Sequence, residues 1–212
     1  MRPRQDRQTA MLLLLLALFH PVFGAPPPPG KKDTGAGTKP PIELHVGIRD
    51  LVYIGQPLDE LIKKFPGAKV HPFSGQDDAT NVRIAEAGIS CIAVGNPGEL
   101  KLASIGFNLD GVYDGMAETP YRTGKGIGKG STVNDLLEAY GQPFEVLGQE
   151  ARGALRKRPP VESSAAPKMY QYKNEDGGIQ TFFLVQDHLV RRVVVNDLKP
   201  LDQHVVKGRP KK

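Results

Sequence analysis

Two segments of this chain read as the same short helix. "GQPLDELIKKFPG" begins at Gly55 and "GSTVNDLLEAYGQ" at Gly130. Leu58, Leu61, Ile62 and Phe65 in the first, and Val133, Leu136, Leu137 and Tyr140 in the second, recur at i, i+3, i+4 and i+7. That spacing lines one face of a helix. Glu60 and Asp135 place an acid in each first turn, where the helix dipole favours it. Ser131 or Thr132 can cap the second helix, and Thr132-x-x-Asp135 is a capping-box variant. Pro57 suits the first helical position of the other copy. Pro66-Gly67 stops the first helix, and Gly141 followed by Pro143 stops the second.

The sequence downstream of each helix also corresponds. "GISCIAVGNPGELKLASIGFNL" from Gly88 parallels "GIQTFFLVQDHLVRRVVVNDL" from Gly178. Each reads as strand, polar turn, strand, with turns at Asn96-Pro97-Gly98 and Gln186-Asp187-His188. "NEDGG" at 174–178 is a further hairpin signal, joining "KMYQY" to "IQTFFLV". The pattern predicts an α+β fold of two repeats, 42–120 and 121–200, each a short helical element packed on an antiparallel sheet. The second carries an inserted loop at about 148–167, polar and rich in Pro, Ala and Arg. Neither copy is large enough to bury its helix well alone, so the two are expected to share or abut a sheet.

The glycines and lysines of "YRTGKGIGKGST" invite comparison with a phosphate cradle. The phosphate loop needs Ser or Thr straight after its Gly-Lys pair, and here Gly130 follows Gly128-Lys129. The dinucleotide fingerprint fails too, because Lys129 or Ser131 stands where its third glycine belongs. No apolar strand precedes the run. Its glycines are read instead as a sharp entry into the second helix.

The ends of the chain speak to compartment. Arg2, Arg4 and Arg7 precede the apolar run "AMLLLLLALF", and Val22 and Gly24 occupy the −3 and −1 positions of a cleavage site, so residues 1–24 are read as a signal peptide cleaved after Gly24. Residues 25–41, rich in Pro, Gly and Lys, form a linker without apolar periodicity. Residues 201–212 end in the basic "KGRPKK". The mature chain is expected to be exported, to a periplasm or outside the cell. Its formal charge of +5 falls to +3 without residues 1–24 and their three Arg and one Asp. No basic stripe interleaved with aromatics runs through the folded part, so nucleic acid is not an expected partner. Attraction to an anionic lipid surface fits the basic linker and tail.

The second copy resembles the BamE (SmpA/OmlA) family of bacterial envelope domains. The residues that carry this are Gly130-Ser131-Thr132, Leu136, Tyr140-Gly141-Gln142-Pro143, Tyr170-Gln171-Tyr172, and the strand–turn–strand from Ile179 to Val195. Two such units in tandem resemble the β-lactamase-inhibitor protein fold, and the resemblance covers most of residues 50–198. The first copy departs from the pattern, with Pro66-Gly67-Ala68 in place of Gly-x-Pro and no Tyr-x-Tyr. No cysteine sits at the cleavage site to carry a lipid. The resemblance implies a non-catalytic module that binds an envelope protein, a lipid headgroup or an extracellular enzyme.

The chemistry-bearing residues agree with a non-catalytic reading. The single cysteine, Cys91, has Ile89, Ile92 and Val94 as neighbours and reads as a buried strand residue rather than a nucleophile. His45, His71, His188 and His204 show no zinc spacing. Asp77-Asp78 and Asp110 with Asp114 do not fit a calcium loop. No Gly-x-Ser-x-Gly elbow occurs. Catalytic residues, metal ligands and cofactors are therefore expected to be none. The candidate binding surface is the segment joining the copies, with Tyr113, Tyr121 and Arg122, residue types enriched at interface hot spots. Tyr170 and Tyr172, on one face of a strand, extend it; packing of these tyrosines in the helix–sheet seam is the competing reading. The expected function is an exported non-catalytic binding module of the cell envelope, acting by protein or lipid binding. A secreted inhibitor of an extracellular enzyme is the alternative, and a small hydrolase using Cys91, or a His with an acid, comes last.

Overall fold

The computed structural model describes residues 39–73, 77–111, 115–148 and 167–203. The expected signal peptide, almost all of the linker, the inserted loop, most of the basic tail, and Tyr113 lie outside them. The chain runs β1 (Gly47–Ile48), β2 (Val52–Tyr53), α1 (Leu58–Lys64), β3 (Lys69–Pro72), β4 (Ala79–Ile84), β5 (Ile89–Val94) and β6 (Lys101–Asn108). It continues with α2 (Val133–Tyr140), β7 (Glu145–Leu147), β8 (Lys168–Lys173), β9 (Ile179–Gln186), β10 (Leu189–Asp197) and α3 (Leu198–Leu201).

The expected α+β class gives way to a predominantly β protein: 42% of the described residues are in strands and 17% in helices. The reason is the length of the helical pattern, which spans only two turns. Phe65 closes α1 with its N–H on Leu61 O at 2.9 Å, and Pro66 follows. Gly141 ends α2 with φ 71°, a conformation that suits glycine. The apolar runs beyond each helix are longer and alternate, so they extend into strands. Pro57 also differs from expectation: it sits just outside α1 with ψ 137°, and Leu58 is the first helical residue. The second helix starts as its sequence suggests. Thr132 Oγ1 accepts the Asp135 N–H at 3.2 Å, and Asp135 Oδ2 accepts the Thr132 N–H at 2.7 Å.

Eight strands form one continuous antiparallel sheet in the order β3-β4-β5-β6-β10-β9-β8-β7, and β1–β2 is a separate hairpin. The element order α1-β3-β4-β5-β6 thus recurs as α2-β7-β8-β9-β10, and the two runs meet where β6 lies beside β10. Each helix is clipped to the last strand of its own run in the same way. Leu58 N–H donates to Leu100 O and Leu102 N–H to Gln56 O, both at 2.9 Å. In the second run Val133 N–H donates to His188 O at 2.9 Å and Val190 N–H to Ser131 O at 2.8 Å. A helix leaves its first N–H groups without intrahelical partners, and the carbonyl just before a strand satisfies one of them in each run. Asp187 and His188 turn β9 into β10 with φ of 51° and 62°, the two positive values a type I′ hairpin needs.

Alternation along the strands divides the core in two. One face packs against the helices and the β1–β2 hairpin, with Ile84, Ile105, Phe107, Phe183 and Val193 meeting Leu61 and Leu136, all fully buried. The opposite face holds two smaller apolar clusters. Met169, Phe182, Leu184 and Val194 form one. Ala79, Ile92, Val94 and Ala103 form the other with Leu201 of α3, while Leu198 of α3 packs against the first.

Candidate functional site

The sheet ends on both sides in a short strand, and these edges differ. Among the described residues the large apolar side chains that stay exposed are Val70, Phe144 and Val146. Val70 lies in β3, where Lys69, His71 and Pro72 accompany it. Charge and proline are the usual guards of an open edge. Val146 lies in β7 with Phe144 just before it, and they are 46% and 66% exposed, with Glu145 the one charge among them. The N–H of Phe144 donates to Gln171 O at 2.8 Å, so the chain is already extended alongside β8 there. Lys173 Nζ stands 3.4 Å above the Phe144 ring. Val146 pairs with Tyr170 across the β7–β8 ladder.

The tyrosines singled out in the sequence are placed mainly by packing. Tyr170 and Tyr172 face the helices from β8. Tyr172 is 8% exposed and donates its hydroxyl to Gly141 O at 3.1 Å. Its ring meets Phe183 edge-on at 5.6 Å and Tyr140 at 5.9 Å, and Tyr140 lies 5.6 Å from Phe183. Desolvation raises the Tyr172 phenol above its ordinary pKa, with Tyr170 and Tyr140 adding to the rise. Desolvation also raises Tyr140, against the pull of Thr123 and the Lys125 backbone. Tyr170 is half-buried at the border between this packing and Val146. Tyr121 is half-buried against the same core. Arg122 is exposed; its Nη1 donates to Gly126 O at 3.2 Å, and its carbonyl accepts the Ile42 N–H at 2.7 Å. The Arg122 carbonyl and the Gly124 N–H, which bond Ile42, therefore fasten the loop before α2 to the strand-like segment there. Phe144 and Val146 were not among the expected residues, although "PFEVL" carries the apolar–polar–apolar alternation of an edge strand.

The catalytic candidates are not assembled. Cys91 is 2% exposed on the helix-facing side of β5, and desolvation pushes its thiol pKa well up despite the opposing pull of Arg192. A protonated, enclosed thiol makes a poor nucleophile. Asp110 is paired with Arg191 at 2.9 Å. His71 is exposed in β3, His188 turns a hairpin, and His204 lies outside the described residues. Among the described residues no group of three His, Cys, Asp or Glu side chains gathers to hold a metal. A cavity of about 420 Å³ opens beside the start of α1, lined by Pro57, Leu58, Asp59, Glu99, Leu100 and Lys101. Its charged residues are exposed and face solvent, which screens them.

His45 is tied into the fold through both its backbone and its ring. Its backbone takes φ 65°, its N–H donates to Thr181 Oγ1 at 3.0 Å, and its Nδ1 lies 3.3 Å from the same oxygen. Desolvation lowers its pKa from 6.5. Between 6.5 and that lower folded value the unfolded chain binds more protons, so His45 favours the fold above pH 6.5 and loses that contribution as the pH falls. Urea unfolding from about pH 7.5 to 5 should show stability declining over that range. His45→Asn, which tolerates positive φ, should flatten the decline. An unchanged slope in the variant would remove His45 as its cause.

These features define a class: a predominantly β protein built around an eight-stranded antiparallel sheet, with α1 and α2 on one face and the short α3 on the other. The chain matches no family model, no curated protein and no solved structure.

Proposed function

We propose that this protein is an exported, non-catalytic binding module of the cell envelope that engages a protein partner along the β7 edge of its sheet. The observation that carries the reading is the contrast between the two edges. β3 has charge and proline beside its one exposed valine, whereas β7 and the residue before it expose two apolar side chains, Phe144 and Val146, with Lys173 over the Phe144 ring and Glu145 between them. An edge strand offers unpaired N–H and C=O groups, and a partner segment in extended form adds to them as a further strand. Exposed aromatic and β-branched side chains then supply the apolar part of the contact. The BamE-like resemblance of the sequence implies a module that binds rather than turns over. The burial of Cys91, the thiol of the hydrolase alternative, favours the same reading.

The test is capture from envelope and secreted fractions by the mature chain from Ala25 to Lys212, with Val146→Lys and Val70→Lys baits alongside. One protein should be enriched by the wild type and by Val70→Lys, and be lost with Val146→Lys. Val146 is 46% exposed on an edge strand, so the substitution should change stability by no more than about 1 kcal/mol. Equal capture by all three baits would move the site away from β7. Binding to anionic vesicles that Val146→Lys leaves intact would replace the protein partner with a lipid surface.

A further inference from the structure

The two runs differ where the third strand of each turns into the fourth. β9 passes to β10 through Asp187 and His188 alone, whereas β5 passes to β6 through residues 95–100. The longer turn has a defined shape. Gly95 N–H donates to Asp78 O at 3.0 Å, and Glu99 N–H donates to Asn96 O at 2.9 Å. A Cβ on Gly95 would stand 2.8 Å from Glu99 O, so the turn closes only over glycine. The added residues Gly98 and Glu99 stand beside the start of α1 and wall the cavity of about 420 Å³ there.

The floor of that cavity is apolar and held in place. Pro57 is bridged to Lys101, and the Leu58 N–H is bonded to Leu100 O. Leu58 is buried, and Pro57 and Leu100 are half-buried. The rim is charged. Asp59 from the helix and Glu99 from the turn are both exposed, and Glu60 follows Asp59 in the first turn of α1. Neither Asp59 nor Glu99 is ion-paired among the described residues. Lys101, also exposed, lines the cavity with them. Two carboxylates against one ammonium leave a negative charge over an apolar floor.

We infer that this cavity receives a lysine or arginine side chain from a polypeptide partner. The aliphatic stem of such a residue lies on Pro57, Leu58 and Leu100, and its cationic head reaches the rim between Asp59 and Glu99. One added cation cancels the net charge of the lining. Exposed ion pairs are screened and individually weak, so the two carboxylates alone hold a free amine poorly. A polypeptide supplies the further contact that a small cation lacks. The second run has no matching site of this construction, because its two-residue turn raises no wall beside α2. The cavity belongs to the first run, and the inference does not rest on the β7 edge.

Fluorescence anisotropy of the mature chain with a labelled peptide alternating glycine and arginine tests this, beside a glycine–glutamine twin. The arginine peptide should bind and the glutamine peptide should not. Asp59→Asn and Glu99→Gln should each weaken binding roughly two- to fivefold, the range of an exposed ion pair. Lys101→Gln should strengthen it, because a competing cation has gone. Glu175→Gln and Asp176→Asn remove the same charge from the β8–β9 turn and should leave binding unchanged. All five positions are solvated, so the variants should fold as the wild type does. Agmatine, a guanidinium on a short stem, should displace the peptide only at far higher concentration. A full-length variant with Lys207, Arg209, Lys211 and Lys212 changed to Gln should bind the peptide as the wild type does.

Four results would overturn the site or its occupant. They are no binding of the arginine peptide, equal losses from the β8–β9 turn variants, displacement by agmatine at the peptide's own concentration, and binding seen only in the tail variant. The last would make the occupant the chain's own C-terminal segment.

Discussion

Phe183→Ala should lower the unfolding free energy by about 3–5 kcal/mol, the usual cost of truncating a buried phenylalanine. Phe183 is fully buried on β9, and its ring is flanked by Tyr140 from α2 and Tyr172 from β8. Removing it opens a cavity between the second helix and the sheet, and aromatic pairs contribute beyond the area they bury. The surrounding strands are hydrogen-bonded on both sides and have little freedom to collapse into the gap. Denaturant unfolding measures the loss directly. A value below about 1.5 kcal/mol would mean that the tyrosines close over the space and that α2 is loosely seated. Phe183→Leu should recover much of the loss, because it restores most of the volume.

Asp110→Ala should cost about 3 kcal/mol, by stranding a buried arginine. Arg191 and Asp110 are each 9% exposed at the side chain and meet at 2.9 Å. Asp187 stands 3.6 Å away but is 52% exposed, so it offers Arg191 only a weak replacement. The pair reinforces the seam, where the Leu109 N–H also donates to Arg191 O at 2.9 Å. Replacing both partners, as in Asp110→Ala with Arg191→Met, should cost less than Asp110→Ala alone, since no uncompensated charge remains. A double-mutant cycle over these variants gives the coupling. If Asp110→Ala costs under about 1 kcal/mol, water reaches the pair and it behaves as a surface contact.

The parts of this fold that could be read from sequence are those written in local chemistry. The Thr132–Asp135 box, the helix stop at Gly141 and the turn at Asp187-His188 each depend on residues within a few positions of one another. The balance of α and β was misjudged because the helical pattern is conspicuous, whereas the strands outweigh it in length. β3 and β7 left little trace: "KVHP" has no apolar alternation, and three residues of β7 fall below any useful window. Both are strands because β4 and β8 lie beside them. The candidate sites were less legible still. Phe144 and Val146 are informative only once their exposure is known. Arg192 sits next to Arg191 in "LVRRVVV", and a register shift between Val190 and Arg192 sends the two arginines to different surroundings. No spacing rule distinguishes the arginine that pairs with Asp110 from the one laid over Gly106.

The β6–β10 seam also bears on the order in which the chain can be completed during synthesis. Strand β6 ends at Asn108, and its partner begins only at Leu189. At ordinary translation rates the first four strands wait on the order of 10 s with one flank unpaired. Until then Ile105 and Phe107 have no β10 to close the sheet beside them. A sheet whose middle pairing needs a strand made so late leaves the chain's core incomplete until synthesis is nearly over.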